Sequence, residues 1–139
     1  MRNGFTKKLT AIAIALLLIF SLAACGGDPS DDGSDVKTIN VTLSILYPGD
    51  SHKESVEGYA MNIQDKATIM QILESYADQQ SVAITVDTSA SPYVTSINGV
   101  KAKGSSGWVF EVNDKSITKG ASECKVKNGD KIVWKYVTF

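Results

Sequence analysis

Arginine is almost absent from this 139-residue chain: Arg2 is the only one, and every other basic side chain is a lysine apart from a single histidine. The guanidinium fork that grips phosphates and base edges bidentately is therefore missing from everything after the second residue, which excludes nucleic acid as an expected partner. The one imidazole, His52, sits in Asp50-Ser51-His52-Lys53-Glu54 with no nucleophile and orienting acid patterned around it, so no catalytic triad can be assembled. The chain is read as non-enzymatic. A phosphate cradle is lacking too, because Gly104-Ser105-Ser106-Gly107 precedes a strand pattern instead of opening a helix and no Walker-type lysine follows. Cysteine is limited to Cys25 and Cys124.

What is present begins with Arg2, Lys7 and Lys8 ahead of an unbroken apolar run from Ala11 to Phe20, the n-region and h-region of an export signal. Ten apolar residues fall well short of the roughly 20 that a stable membrane-spanning helix needs. Leu22-Ala23-Ala24-Cys25 follows and resembles the lipobox of bacterial lipoproteins. That resemblance implies cleavage after residue 24, acylation of Cys25, and an extracytoplasmic chain anchored to the cell membrane by acyl chains, each buried CH₂ contributing about 0.8 kcal/mol. Cys124 is then left without a disulfide partner and reads as a small, buried apolar residue. Removal of the signal leaves eleven basic against fifteen acidic residues, a mature net charge of −4.

Residues 25–37 carry four aspartates and three glycines with no large apolar side chain before Val36. Such a segment cannot bury enough surface to order itself and reads as an acidic tether. Residues 38–139 form one small domain. Ile39, Val41, Leu43 and Ile45 alternate with polar residues over a full strand, and a weaker strand from Val56 to Ile63 is hairpinned to it. Thr68 and Gln71 match a capping box, and Ile69, Ile72, Leu73 and Tyr76 follow the spacing of one apolar helix face. Period two returns in Val82–Val86, Tyr93–Ile97 and Trp108–Val112, with Asn98-Gly99 and Asn113-Asp114 as turns. Lys101 to Gly107 reads as a flexible loop, and Cys124–Val126 with Ile132–Val137 as a last hairpin around Lys127-Asn128-Gly129-Asp130. The order predicts an α+β fold: a β-grasp-like mixed sheet of about five to seven strands with one helix packed across it.

Four stretches in order, Thr68-Ile-Met-Gln-Ile-Leu, Tyr93-Val-Thr-Ser-Ile-Asn-Gly99, Gly107-Trp-Val-Phe-Glu-Val-Asn-Asp114 and Asn128-Gly-Asp-Lys-Ile-Val-Trp-Lys-Tyr136, resemble the transcobalamin-like C-terminal domain. In the vertebrate cobalamin carriers that domain closes over the corrin ring beside a helical domain that has no counterpart in this chain. The resemblance implies a ligand-binding module for cobalamin, another corrinoid, or a bulky planar ligand. Phe110 stands where an aromatic hydroxyl is common in the family, and Asp114 replaces the glycine of the turn.

Candidate ligand contacts are Trp108, which begins its strand beside a glycine-containing loop, together with Tyr93 and Phe110. Were their loop extended, Asp50, His52 and Glu54 would project to one side and could ligate a borderline divalent ion; the alternative is a solvated turn with no metal. No cofactor is otherwise expected. The rival reading is a surface module that pairs a sheet edge with another protein and takes no small ligand. The lipoprotein expectation is tested by Cys25→Ala, which should leave an unprocessed precursor that incorporates no labelled fatty acid; a variant processed and anchored as before would refute it.

Overall fold

A computed structural model describes residues 35–139; the expected export signal, the lipidated Cys25 and nearly all of the tether lie outside the described residues. The first strand, β1 (Thr38–Leu46), sits inside a five-stranded sheet. Its odd-numbered residues Ile39, Val41, Leu43 and Ile45 are at most 3% exposed, as the alternation requires. On one side β1 pairs antiparallel with β2 (Val56–Gln64) across a short 3-10 turn at Gly49–Ser51. The sequence disturbance at Glu57-Gly58 is a bulge: the register shifts between Leu43 and Ile45, and the Gly58 amide donates to Ser44 Oγ at 2.9 Å. On its other side β1 pairs in parallel with the last strand, β8 (Lys131–Thr138), Leu43 opposite Ile132 and Ile45 opposite Trp134.

Between them in sequence lies α1 (Ile69–Gln80). Its capping box is formed as expected, with the Gln71 amide donating to Thr68 Oγ1 at 3.3 Å and the Thr68 amide to Gln71 Oε1 at 2.9 Å. Ile69, Ile72 and Leu73 are fully buried and Tyr76 is 5% exposed, so the predicted apolar stripe is the one that packs into the core. After α1 come β3 (Ile84–Asp87), β4 (Tyr93–Ile97) and β5 (Val100–Lys101), which form a separate three-stranded sheet in the order β3-β4-β5. The main sheet is completed by β6 (Ser106–Val112) and β7 (Lys115–Ser116), giving the order β2-β1-β8-β6-β7. The fold is therefore α+β and sheet-dominated, with eight strands in two sheets and one α-helix among the described residues.

Two segments depart from the sequence expectation. The stretch expected to be a loop from Lys101 to Gly107 is largely structured: Asn98 and Gly99 both take positive φ and fold β5 back on β4, while Lys103 and Ser106 form a bridge that leads into β6. Cys124–Val126 is not a strand hairpinned to β8. Its backbone and that of the turn before it serve the start of α1, where the first amides lack intrahelical partners: Ile69 N–H donates to the Cys124 carbonyl at 2.9 Å and Met70 N–H to the Ala121 carbonyl, in the preceding turn, at 3.0 Å. The Asn-Gly turn itself exists. Its Asn128 Oδ1 and Asp130 carbonyl accept from the Asn40 and Thr42 amides of β1, which launches β8 alongside β1 instead of back along its own approach.

Leu73 is at 0% exposure in the center of the α1 stripe. Leu73→Ala should lower unfolding stability by about 2–5 kcal/mol in a urea titration of the full chain, whereas Glu74→Ala, on the exposed side of α1, should change it by less than about 0.5 kcal/mol.

Candidate functional site

β6 crosses from the core to an open part of the molecule, and its aromatic residues divide accordingly. Alternation places Trp108, Phe110 and Val112 on one face, opposite Tyr136, Trp134 and Ile132 of β8. Trp108, the foremost candidate for ligand contact, is 1% exposed. Its ring is held edge-on between Tyr47, at 5.6 Å between centroids, and Tyr136, at 5.4 Å. Its indole N–H donates to the Val100 carbonyl at 2.8 Å, so the polar handle that could have met a ligand ties β5 to β6. Phe110 is half-buried and packs on Trp134 at 5.2 Å with the rings tilted by 46°. Trp108 is thus the enclosed ring and Phe110 the more open one, and both line the cavity beside this strand.

What Phe110 faces is a cavity of about 540 Å³, walled also by Tyr93, Ile117, Lys119, Val137 and Phe139, in the size range of sites that take a small organic ligand. Tyr93 and Phe139 are 43% and 77% exposed, so two aromatic rings remain in contact with solvent at this cavity. Their position depends on Gly107. A β-carbon at that residue would collide with the Tyr93 hydroxyl and would touch Phe139. Tyr93 and Phe110 are brought to one site by the structure. Ile117, Lys119, Val137 and Phe139 were not recognised in the sequence, because residues 117–121 carry no periodic pattern and Phe139 follows a strand that already satisfied its own.

The electrostatics of the cavity are simple. Of its two lysines, Lys135 is ion-paired with Glu111, whereas Lys119 is exposed and has no carboxylate partner among the described residues. Trp134 also lines the cavity, and its indole N–H is buried with no acceptor among the described residues. Cys124, half-buried, has its thiol pKa raised by burial, with Lys119 acting in the opposite direction, so the reactive thiolate is disfavoured. Asp50, His52 and Glu54 do not share one side of an extended loop. Asp50 lies in the 3-10 turn, His52 takes a left-handed backbone with φ of 54°, and all three are exposed. Among the described residues no three His, Cys, Asp or Glu side chains gather as a metal would need.

Residues 66–138 match the family model described as "Domain of unknown function (DUF4430)". No curated protein matches the chain. Among solved structures, haptocorrin in complex with Cbi superposes with a TM-score of 0.65 at 17% identity over 75% of this chain. The chain spans only 26% of haptocorrin's length. A candidate metal-binding protein from Ruminococcus gnavus ATCC 29149 superposes with a TM-score of 0.53 at 14% identity, over 73% of this chain and 98% of that one. At these identities the likeness is one of fold, and at that level it agrees with the transcobalamin-like resemblance of the four motifs.

The steric dependence of Tyr93 on Gly107 is open to a two-residue test. Gly107→Ala should displace the Tyr93 ring, seen as a shift of its aromatic resonances, with a stability cost of about 1 kcal/mol because the obstructing atom ends a movable side chain. Combining it with Tyr93→Phe, which removes the colliding hydroxyl, should restore the parent stability to within about 0.5 kcal/mol.

Proposed function

This chain belongs to the family described as "Domain of unknown function (DUF4430)", and from that premise we propose that it is a non-catalytic ligand-binding module held at the extracytoplasmic face of the cell membrane by a lipid on Cys25. The ligand seat is the cavity between β6 and residues 117–121, and the leading candidate is a corrinoid, cobalamin included, or another bulky planar ligand. The observation that carries the reading is the pairing of an open apolar cavity with two solvent-facing aromatic rings, Tyr93 and Phe139. Exposed rings of this kind retain apolar surface that a flat ligand can cover, at about 25 cal/mol for each Å² removed from water. The corrinoid candidate is supported by the fold shared with haptocorrin, which was solved in complex with Cbi.

The anchoring part of the proposal rests on the N-terminal sequence. No helix among the described residues is long and apolar enough to cross a membrane, and a lipid on Cys25 supplies the attachment through the acidic segment that follows it. Lipid anchoring suits a binding module, since the tether leaves the domain free to turn its cavity toward ligand.

Isothermal titration of the full chain with cobalamin tests the ligand. Saturable binding is expected, and Phe110→Ala, which removes one apolar wall, should weaken it by about 10- to 100-fold. A flat titration at millimolar cobalamin would remove the corrinoid from the proposal.

A further inference from the structure

β2 is the outermost strand at one end of the main sheet, and its neighbour β1 fixes the direction of its hydrogen-bonding groups. Thr42 N–H donates to the Asp130 carbonyl at 3.0 Å and the Asn40 carbonyl accepts from Gly129 N–H at 2.7 Å, so the backbone groups of Asn40 and Thr42 turn toward β8. Alternation then turns those of Ile39, Val41 and Leu43 toward β2, where Ile63, Met61 and Tyr59 stand opposite. The N–H and C=O of Ala60 and Asn62 therefore point outward from the edge of the sheet. Both residues are exposed, and these backbone groups have no partner among the described residues.

Sheets protect such an edge by shortness, charge, proline or a bulge. The opposite edge of the same sheet is short, since β7 has two residues. β2 has nine; its bulge lies near its beginning, at Glu57-Gly58, and from Tyr59 to Gln64 it carries neither charge nor proline. α1 runs back alongside it: Gln80 Nε2 donates to the Tyr59 hydroxyl at 2.9 Å near one end, and Gln71 and Ile63 line a common groove at the other. That groove holds about 270 Å³, and Glu74 and Asp78 line its helix side. Both carboxylates are exposed and unpaired among the described residues, and no lysine lines the groove.

We propose that this edge accepts an extended basic peptide, which adds antiparallel to β2 and sends two lysines, at alternate positions, over the groove to Glu74 and Asp78. The peptide backbone meets the outward groups of Ala60 and Asn62 at the strand repeat. Its side chains fit because the two spacings agree: residues four apart on a helix are about 6 Å apart along its axis, and alternate residues of a strand about 6.8 Å. Charge sets a second copy of the chain aside. Antiparallel pairing of β2 with its own copy, about a twofold axis perpendicular to the sheet, would bring both α1 helices to one face, with four carboxylates around a shared groove and no base among its lining residues. The β2 edge lies across the main sheet from β6 and β7, which flank the cavity, so peptide and corrinoid are separate ligands at separate places.

The probe is the N-acetylated, C-amidated pentapeptide threonine-lysine-valine-lysine-threonine, titrated into the full chain beside two forms methylated at one backbone nitrogen. With both lysines over the groove, the central valine stands opposite the outward groups of β2 and its N–H joins the ladder, whereas the lysine N–H groups point to solvent. The parent peptide is expected to bind and to slow hydrogen exchange at the Ala60 and Asn62 amides. Methylation at the valine should weaken binding by about tenfold, and methylation at the second lysine should leave it within about twofold. Glu74→Gln combined with Asp78→Asn should weaken binding at low salt and have less effect at high salt. No binding at millimolar peptide, equal losses from the two methylations, or unprotected Ala60 and Asn62 amides would each overturn the proposal. So would protection of those amides by self-association of the chain before peptide is added.

Discussion

The parallel pairing of β1 with β8 is the interaction on which the rest of this structure depends. It joins the start of the described chain to its end, Thr42 opposite Lys131 through Leu46 opposite Lys135, and makes the two strands neighbours in the middle of the main sheet. Parallel neighbours cannot be connected by a tight turn, so everything between them must serve as a crossover. The helix α1, the small β3-β4-β5 sheet and the β6–β7 hairpin are all placed within that connection. Burial enforces the register: Leu43, Ile45 and Ile132 are fully buried and Trp134 is 2% exposed, and a slip of one residue would turn all of them outward.

The cavity follows from the same arrangement. After β7 the chain must return to the beginning of α1, where Ala121 and Cys124 supply carbonyls to the first helix amides. Residues 117–120 bridge that distance outside the sheet, and Phe110 faces the cavity between them and β6. A hairpin turn limits β7 to two residues, Lys115 and Ser116. Asn113 and Asp114 both adopt the left-handed backbone that this turn requires, which their short polar side chains tolerate. Asn113 is also fixed by Lys131, whose amide donates to its Oδ1 at 2.9 Å, so the turn that cuts β7 short is tied to the beginning of β8.

The aromatic residues show how a small domain separates support from presentation. Trp108 is 1% exposed, with edge-on contacts to two tyrosines and a hydrogen bond to Val100. That packing fixes the strand on which Phe110 is mounted. Tyr93 reaches the same site from the other sheet and is accommodated because residue 107 has no side chain to obstruct it. One half-buried ring on the strand and two exposed ones beside it leave apolar surface open at the cavity.

Much of the fold was legible in the sequence because local periodicity and end signals record it. The alternation of β1, the Thr68-to-Gln71 capping box, the apolar face of α1 and the Asn98-Gly99 and Asn113-Asp114 turns are local patterns, and each appears in the structure where the pattern placed it. The backbone of Cys124–Val126 defied a local reading because its partner, the unsatisfied start of α1, lies some fifty residues earlier. The candidate site was half legible: Tyr93 and Phe110 were recognisable as aromatic strand residues, whereas Ile117, Lys119 and Phe139 gain their meaning only from neighbours distant in sequence. By itself, then, the sequence determined most of the strands, the helix and the turns, since those depend on side-chain spacing and backbone preference. Tertiary structure decided that Trp108 is enclosed and Phe110 only half-buried, because alternation puts both on the same face and only the covering elements, the tyrosines over one and the cavity beside the other, distinguish them.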